Sequence, residues 1–328
     1  MLRDVAAAKA ALISRAELER RLASSRRIAA AVGDGSVVRV HPGWYVDGER
    51  WRQGHSEERH LLKVVAAHLA QRGTDAVMVG VSAAVLHGLP LYRSEPSRVH
   101  TAGSQLSGHV RASPWIARHE IAVADADRVS IDGILCTSLA RTVADVLRWT
   151  RPEVALSIAD AALRSVAWDD GTRAYDEPTA AAFRSAVFER MHRTRGARGV
   201  RQGRWLLGLA DGRAQLPAES VSRLHLVELG FATPRLQVRV PGPRGDYFVD
   251  FGLDDVDAWG ECDGDVKYLD PNMRNGRTIE QVLLHEKQRE DWIRGTTRRP
   301  LVRWGPRHIG TASDLGRRLA AFGIRPPR

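Results

Sequence analysis

The sequence predicts a multidomain α+β protein, and three observations lead there. At 328 residues the chain is too long for one ordinary core. Its apolar periodicity alternates between helical and strand-like spacing along most of its length. Its texture also changes near Pro217, where short helices and long polar stretches give way to closely spaced strands. With 43% hydrophobic and 27% charged residues the composition is that of a globular protein. The expected organisation is a small helix-and-hairpin domain over residues 1–55 and an α/β domain over 56–165. A connector with a helix and a basic hinge follows over 166–214, then a second α/β domain with a basic tail over 215–328.

Composition also narrows the partners. The longest apolar runs, such as Val77 to Val81, fall far short of the roughly 20 residues of a membrane span. The N-terminus runs from Met1-Leu2-Arg3-Asp4 into an alanine-rich amphipathic stretch without a hydrophobic signal core, so a cytoplasmic protein with no membrane partner is expected. Cys136 and Cys262 are too few for a zinc cluster, and a reduced pair is expected rather than a disulfide. The net charge of +10 points to a polyanion such as DNA. All but four of the 49 Lys and Arg residues are arginine, which fits GC-rich coding; that bias selects Arg over Lys but does not explain the excess over acids.

In the first domain an alanine-rich helix spans Val5 to Leu12. Ser14 and Glu17 form a capping-box pair that opens a second helix through Leu22. Ser24 or Ser25 caps a third, Arg26 to Val32, which stops at Gly33. Val37 to His41, the turn Pro42-Gly43, and Trp44 to Val46 read as a hairpin. Three helices and a hairpin are the order of a winged helix-turn-helix. Ser24, Ser25, Arg26 and Arg27 stand at the end of the third helix that meets base edges and phosphates, and Arg39 and His41 stand on the wing. These six residues are the expected DNA contacts; the alternative is a helical domain with solvated arginines serving protein contacts.

The middle block reads as mixed helix and strand. Glu57 to Gln71 is a helix, Val77 to Val81 a short buried strand, and Ser82 to Pro90 a capped helix ended by Gly88 and Pro90. Strand-like pieces follow near Arg98 to Thr101 and His119 to Ile121, and then two helices, Ser138 to Leu147 and Glu153 to Leu163. Arg141 and Asp145 are spaced as an i, i+4 pair, and His87 and His100 lack metal-ligand spacing, so structural roles are expected for them. The runs SAAVLHGLP (82–90), TSLARTVAD (137–145) and VVRVHPGWYV (37–46) resemble AbiEi-type antitoxins, the repressor halves of type IV toxin–antitoxin systems, over residues 1–165. The resemblance implies a winged-helix DNA-binding domain followed by an α/β antitoxin domain, autoregulation of an operon, and a nucleotidyltransferase-like toxin as partner. Beyond it, Arg193, Arg195, Arg198, Arg201 and Arg204, interspersed with glycines, read as an exposed hinge.

From Pro217 a helix from Glu219 to Leu229 precedes strands at Leu236 to Val240, Tyr247 to Phe251 and Ala258 to Asp263. Asp250 and Glu261 lie on adjacent strands and can face each other, and Asp263 shares the side of Glu261. Such carboxylates, with Glu219 from the preceding helix, form an oxygen-rich pocket suited to Mg²⁺, with Asp250 and Glu261 as metal ligands. Otherwise nearby arginines must offset their repulsion. PAESVSRLHLVELG, DYFVDFGL, WGECDGDVKY and EKQREDWIR, with PLVRW as a last strand, resemble the restriction-endonuclease-like, PD-(D/E)XK superfamily. The closer likeness is to domains related to very-short-patch-repair endonucleases. The resemblance implies catalytic roles for Glu219, Asp250 and Glu261. The position two after Glu261 is Asp263 where the pattern has lysine; Lys267 or Lys287 would have to supply that cation, so the active site is expected to be degenerate. The basic tail from Arg294 to Arg328 could line a groove beside the acids. The expected function is a DNA-binding regulator or antitoxin carrying a nuclease-fold domain, with no small-molecule cofactor. The rivals are a Mg²⁺-dependent endonuclease and an antitoxin acting through protein contacts.

Overall fold

A computed structural model describes residues 4–71, 76–103, 113–193, 196–243, 245–263 and 279–327. The chain divides into two compact units, one formed by residues 1–158 and 181–207 and the other by 159–180 and 208–328. The stretch expected to be a connector is thus shared between both. Among the described residues no helix is long and apolar enough to cross a membrane.

The first unit opens with α1 (Val5–Ala11), β1 (Ile13–Ser14), α2 (Arg15–Leu22), α3 (Ser25–Gly33), β2 (Val37–His41) and β3 (Trp44–Asp47). Short polar side chains set these boundaries by accepting helix-end N–H groups that lack an internal partner. Asp4 caps α1 through Ala7 N, Ser14 caps α2 through Glu17 N at 3.2 Å, and Ser24 caps α3 through Arg27 N at 3.3 Å. Only the serine half of the expected capping box is seen, because the Glu17 carboxylate pairs with Arg21 one turn on. The chain passes from α2 to α3 through Ala23 alone at positive φ, +62°. The stop of α3 lies beyond the expected Gly33: Asp34 caps the helix and Gly35 takes the positive φ. The turn at Pro42-Gly43 joins β2 to β3 with Gly43 at φ +81°. β1, too short to stand out by alternation, adds to β3 to give the antiparallel order β1-β3-β2. Leu18, Ile28 and Tyr45 form the small core, with Ile13, Leu22 and Val37 packed against it.

Next come α4 (Gly48–Gln53), α5 (Ser56–Ala70), β4 (Val77–Met78), α6 (Gly80–Leu86), β5 (Val99–Ala102), β6 (Ile116–His119), β7 (Arg128–Ile131), β8 (Ile134–Thr137) and α7 (Leu139–Trp149). The strands form one mixed sheet in the order β6-β5-β4-β8-β7. The buried run expected as a strand from Val77 to Val81 is split. Gly80 turns the chain at φ +55°, and Val81 already belongs to α6. Ser82 is therefore not a cap but a buried helical residue, whose hydroxyl accepts from His100 N at 2.8 Å and bonds the His60 ring at 2.9 Å. Ser138 caps α7 as expected.

α8 (Pro152–Ala167), β9 (Trp168–Asp169), β10 (Ala174–Tyr175), α9 (Glu177–Arg193) and α10 (Val200–Leu209) follow. The basic hinge is largely helical: Arg201 and Arg204 project from α10, while Gln202 donates to Leu147 O and Thr150 O, closing the end of α7. A Cβ on Gly203 would come within 2.7 Å of Met191 Sδ, so glycine permits that close packing. Arg195 lies outside the described residues.

The second unit contains the β9–β10 hairpin, α11 (Pro217–Glu228), β11 (Arg235–Val240), β12 (Tyr247–Leu253), β13 (Ala258–Cys262), α12 (Ile279–Thr297), β14 (Leu301–Trp304) and α13 (Ala312–Ala320). Its sheet runs β11-β12-β13-β14, with the first two pairings antiparallel and the last parallel. Val240, Val249, Trp259, Ile293 and Leu301 form a core cluster. Phe251 stacks on buried Trp304, whose indole N–H donates to Ser222 Oγ at 2.9 Å. Gly260 lies so close to Trp304 that an added Cβ would be 2.3 Å from the ring. α11 is buried on more than one face: Arg223, fully enclosed, pairs with equally enclosed Asp160 at 2.5 Å. Asp160 also accepts from Asp211 N, so both oxygens of the buried carboxylate are hydrogen-bonded, while Arg223 Nε has no partner among the described residues. Both cysteines are free and buried.

Candidate functional site

Two places carry the residues singled out from sequence, one in each unit. In the first, Ser24 is committed to capping α3, and Ser25 Oγ accepts from Arg15 Nη2 at 2.9 Å. Arg26 and Arg27 are exposed in the first turn of α3, where no acid accompanies them. Helix N-terminal N–H groups and two cations then face the same solvent, an arrangement that attracts phosphate. Arg39 is exposed on β2, with its guanidinium over the Trp115 ring at 5.6 Å. Among the described residues no carboxylate pairs with Arg26, Arg27 or Arg39.

His41 is placed differently from the other five. It is buried, packs against Trp115 at 6.0 Å, and its Nδ1–H donates to Pro42 O. Burial, aided by Arg39, holds its pKa below the usual imidazole value, so it is an uncharged part of the β2–β3 hairpin at neutral pH.

In the second unit the sheet assembles the acids. The β12–β13 register pairs Phe251 with Gly260, and one step further sets Asp250 opposite Glu261. Asp250 Oδ2 accepts from Cys262 N at 2.9 Å, and Oδ1 accepts from Gln237 Nε2 at 3.2 Å. Glu219, near the start of α11 and buried, accepts from Gln215 N at 2.9 Å and lies 3.5 Å from the same Gln237 nitrogen. One amide therefore links the helix acid to the strand acid. Gln237 holds this position with φ +49° inside β11, a costly conformation for a side chain of this type.

Glu261 is held by two arginines. Arg289 Nη2 lies 2.5 Å from Oε1, and Arg303 Nη2 lies 3.0 Å from Oε2. Arg303 comes from β14, directly beside Glu261 in the parallel register, and Arg289 from α12. Arg303 also meets Glu286 at 2.9 Å, Glu290 at 3.6 Å and Asp263 at 3.8 Å. These acids, with Glu261 foremost, raise its pKa despite its burial. Asp263 shares the Glu261 side, as the strand spacing implies. Lys287 is exposed on α12 and takes no part in these pairs, and Lys267 lies outside the described residues.

Arg289 and Gln237 were not singled out from sequence, and Arg303 was read only as one arginine of the basic tail that could line a groove beside the acids. Arg303 stood in view within PLVRW, but its meaning depends on β14 lying beside β13. Arg289 falls within EKQREDWIR, where nothing local sets it apart from its charged neighbours.

A hard divalent ion needs carboxylate oxygens turned towards a common point. Both oxygens of Glu261 face guanidinium groups, so a cation there would meet two positive charges before its ligand. Among the described residues no group of three or more His, Cys, Asp or Glu side chains is arranged to hold a metal. The donor set as it stands does not fit Mg²⁺.

Two proteins of Mycobacterium tuberculosis resemble the chain: uncharacterized protein Rv2248 of strain ATCC 25618 / H37Rv and uncharacterized protein MT2308 of strain CDC 1551 / Oshkosh. Each is 32% identical over 228 residues, covering 69% of this chain and 73% of the relative. The chain belongs to their family. No family model matches it, and no solved structure does. Neither relative's name carries an activity.

Proposed function

We propose that the protein is a DNA-binding regulator of the AbiEi antitoxin type, acting in the cytoplasm, with a winged helix-turn-helix over residues 1–55 and a nuclease-like C-terminal scaffold. The observation that carries this reading is the order helix, strand, helix, helix, strand, strand, with Arg26 and Arg27 exposed at the capped start of α3. Such a helix end suits a DNA groove, and the unpaired arginines supply phosphate contacts without first breaking an ion pair. A nucleotidyltransferase-like toxin partner belongs to this proposal through the antitoxin resemblance.

A gel shift with the DNA upstream of the gene tests it. Wild type should retard the duplex, and Arg26→Ala/Arg27→Ala should weaken binding and lower its salt dependence by about two counterion equivalents. Unchanged binding by that variant removes α3 from the interface.

A second reading is a Mg²⁺-dependent endonuclease. In it Arg289 and Arg303 would have to release Glu261 before a metal could bind, and it is favoured by the order helix, three antiparallel strands, helix, parallel strand around Glu219, Asp250 and Glu261. Incubation with plasmid and Mg²⁺ or Mn²⁺ separates the two. Cleavage that disappears in Asp250→Ala supports the enzyme, and intact plasmid supports a non-catalytic scaffold.

A further inference from the structure

Trp115 stands immediately before β6, an edge strand of the five-stranded sheet, outside the segment expected to touch DNA. Its backbone is anchored there. Its N–H donates to Ser113 Oγ at 3.2 Å, the next N–H does the same, and its carbonyl accepts from Val99 N at 2.8 Å. The ring is thus presented by a fixed support. On it rest two wing residues, Arg39 by its guanidinium and His41 by its imidazole. His41 is buried and uncharged at neutral pH, so of the two described residues resting on the ring Arg39 is the cationic one.

An exposed arginine without a carboxylate partner samples many rotamers, and freezing them on binding costs affinity. A cation held over an indole has already lost part of that freedom while keeping its N–H edge available. We infer that Trp115 is a positioning residue of the DNA interface: it holds Arg39 ready for a backbone phosphate and extends the contact surface from the wing to the edge of the five-stranded sheet. This rests on the reading of residues 1–55 as a DNA-binding module. The partner it names is the sugar–phosphate backbone, because a stacked guanidinium at a wing meets charge rather than base edges.

The test is binding of the full-length protein to mixed-sequence duplex DNA over a series of salt concentrations. Arg39→Ala should weaken binding and lower the salt slope by about one counterion equivalent. Trp115→Leu should weaken binding about two- to tenfold with the salt slope kept, since the charge remains but is no longer held. Trp115→Tyr, which keeps an aromatic face, should bind like wild type. Trp115→Leu should add nothing to Arg39→Ala, because both remove one contact. Thermal melts of each variant show whether the fold persists, and Trp115→Tyr carries the test if Trp115→Leu does not fold. Wild-type affinity in Trp115→Leu, additive losses in the double variant, or weakened binding by Trp115→Tyr would overturn the inference while leaving DNA binding intact. A wild-type protein that binds no duplex, or one indifferent to Arg26→Ala/Arg27→Ala, would instead overturn the function on which it rests.

Discussion

Replacing Arg303 by leucine should expose how the acidic centre is held together. Arg303 Nη2 lies 3.0 Å from Glu261 Oε2, and both side chains are largely enclosed. At that distance a unit charge pair is worth about 5 kcal/mol with an effective dielectric near 20. Arg289 remains on the other carboxylate oxygen, so the loss is partial. Leaving one partner of a buried pair behind typically costs 3–5 kcal/mol, and about 3 kcal/mol is expected here. Glu261→Gln in the same chain removes the stranded charge and should return about 2 kcal/mol, a coupling that independent sites do not show. Urea unfolding near neutral pH, with a chelator present and followed by the fluorescence of buried Trp259 and Trp304, measures both. A single variant within about 0.5 kcal/mol of wild type, or a double variant as unstable as the two losses added, would refute the account of Glu261 as an acid held by arginines.

Acid should weaken the first unit. Burial lowers His60 from 6.5 to about 3 and His100 from 6.5 to about 4. The unfolded chain therefore takes up protons first, and stability present above pH 6.5 is lost as pH falls towards these values; by pH 4 each histidine withdraws roughly 3 kcal/mol. Asp145 runs the other way, since burial raises it from 3.8 to about 6 against the pull of Arg141, and it returns about 2 kcal/mol over that window. The melting temperature should still fall from pH 6.5 to 4, and a flat profile would contradict the lowered pKa of these two histidines. Gly260→Ala should destabilise the second unit by roughly 1–3 kcal/mol, because the new methyl meets the Trp304 ring rather than a flexible side chain; a melt unchanged from wild type would refute that contact. Arg223→Met should cost about 3–5 kcal/mol, and Arg223→Met/Asp160→Asn much less, with denaturant midpoints as the measure.

The sequence by itself determined what neighbouring residues settle. Ser14, Ser24 and Ser138 each cap the helix they precede, because a helix-end N–H finds its acceptor within three residues. Pro42-Gly43 makes its turn for a similarly local reason. Asp132-Gly133 is equally local: both take positive φ and join β7 to β8, as such a dipeptide does in two-residue hairpins. Ser82 shows the limit, since a good cap residue lost that role when Gly80 started the helix two residues earlier. The order of the C-terminal elements and the facing of Asp250 and Glu261 also followed from strand alternation.

Only the tertiary structure decided what those acids meet. Arg289 reaches Glu261 across 28 residues of sequence, and Arg223 reaches Asp160 across 63. Arg303 reaches Glu261 because β14 pairs in parallel with β13, a neighbour relation that no property of PLVRW encodes. Loop closure costs only slightly more as a loop lengthens, so separation along the chain says little about which distant group will be chosen. Local hydrogen-bonding needs could place the carboxylates on their helix and strands; the long-range packing of β14, α12 and β11 determined that arginines and a strained glutamine would answer them.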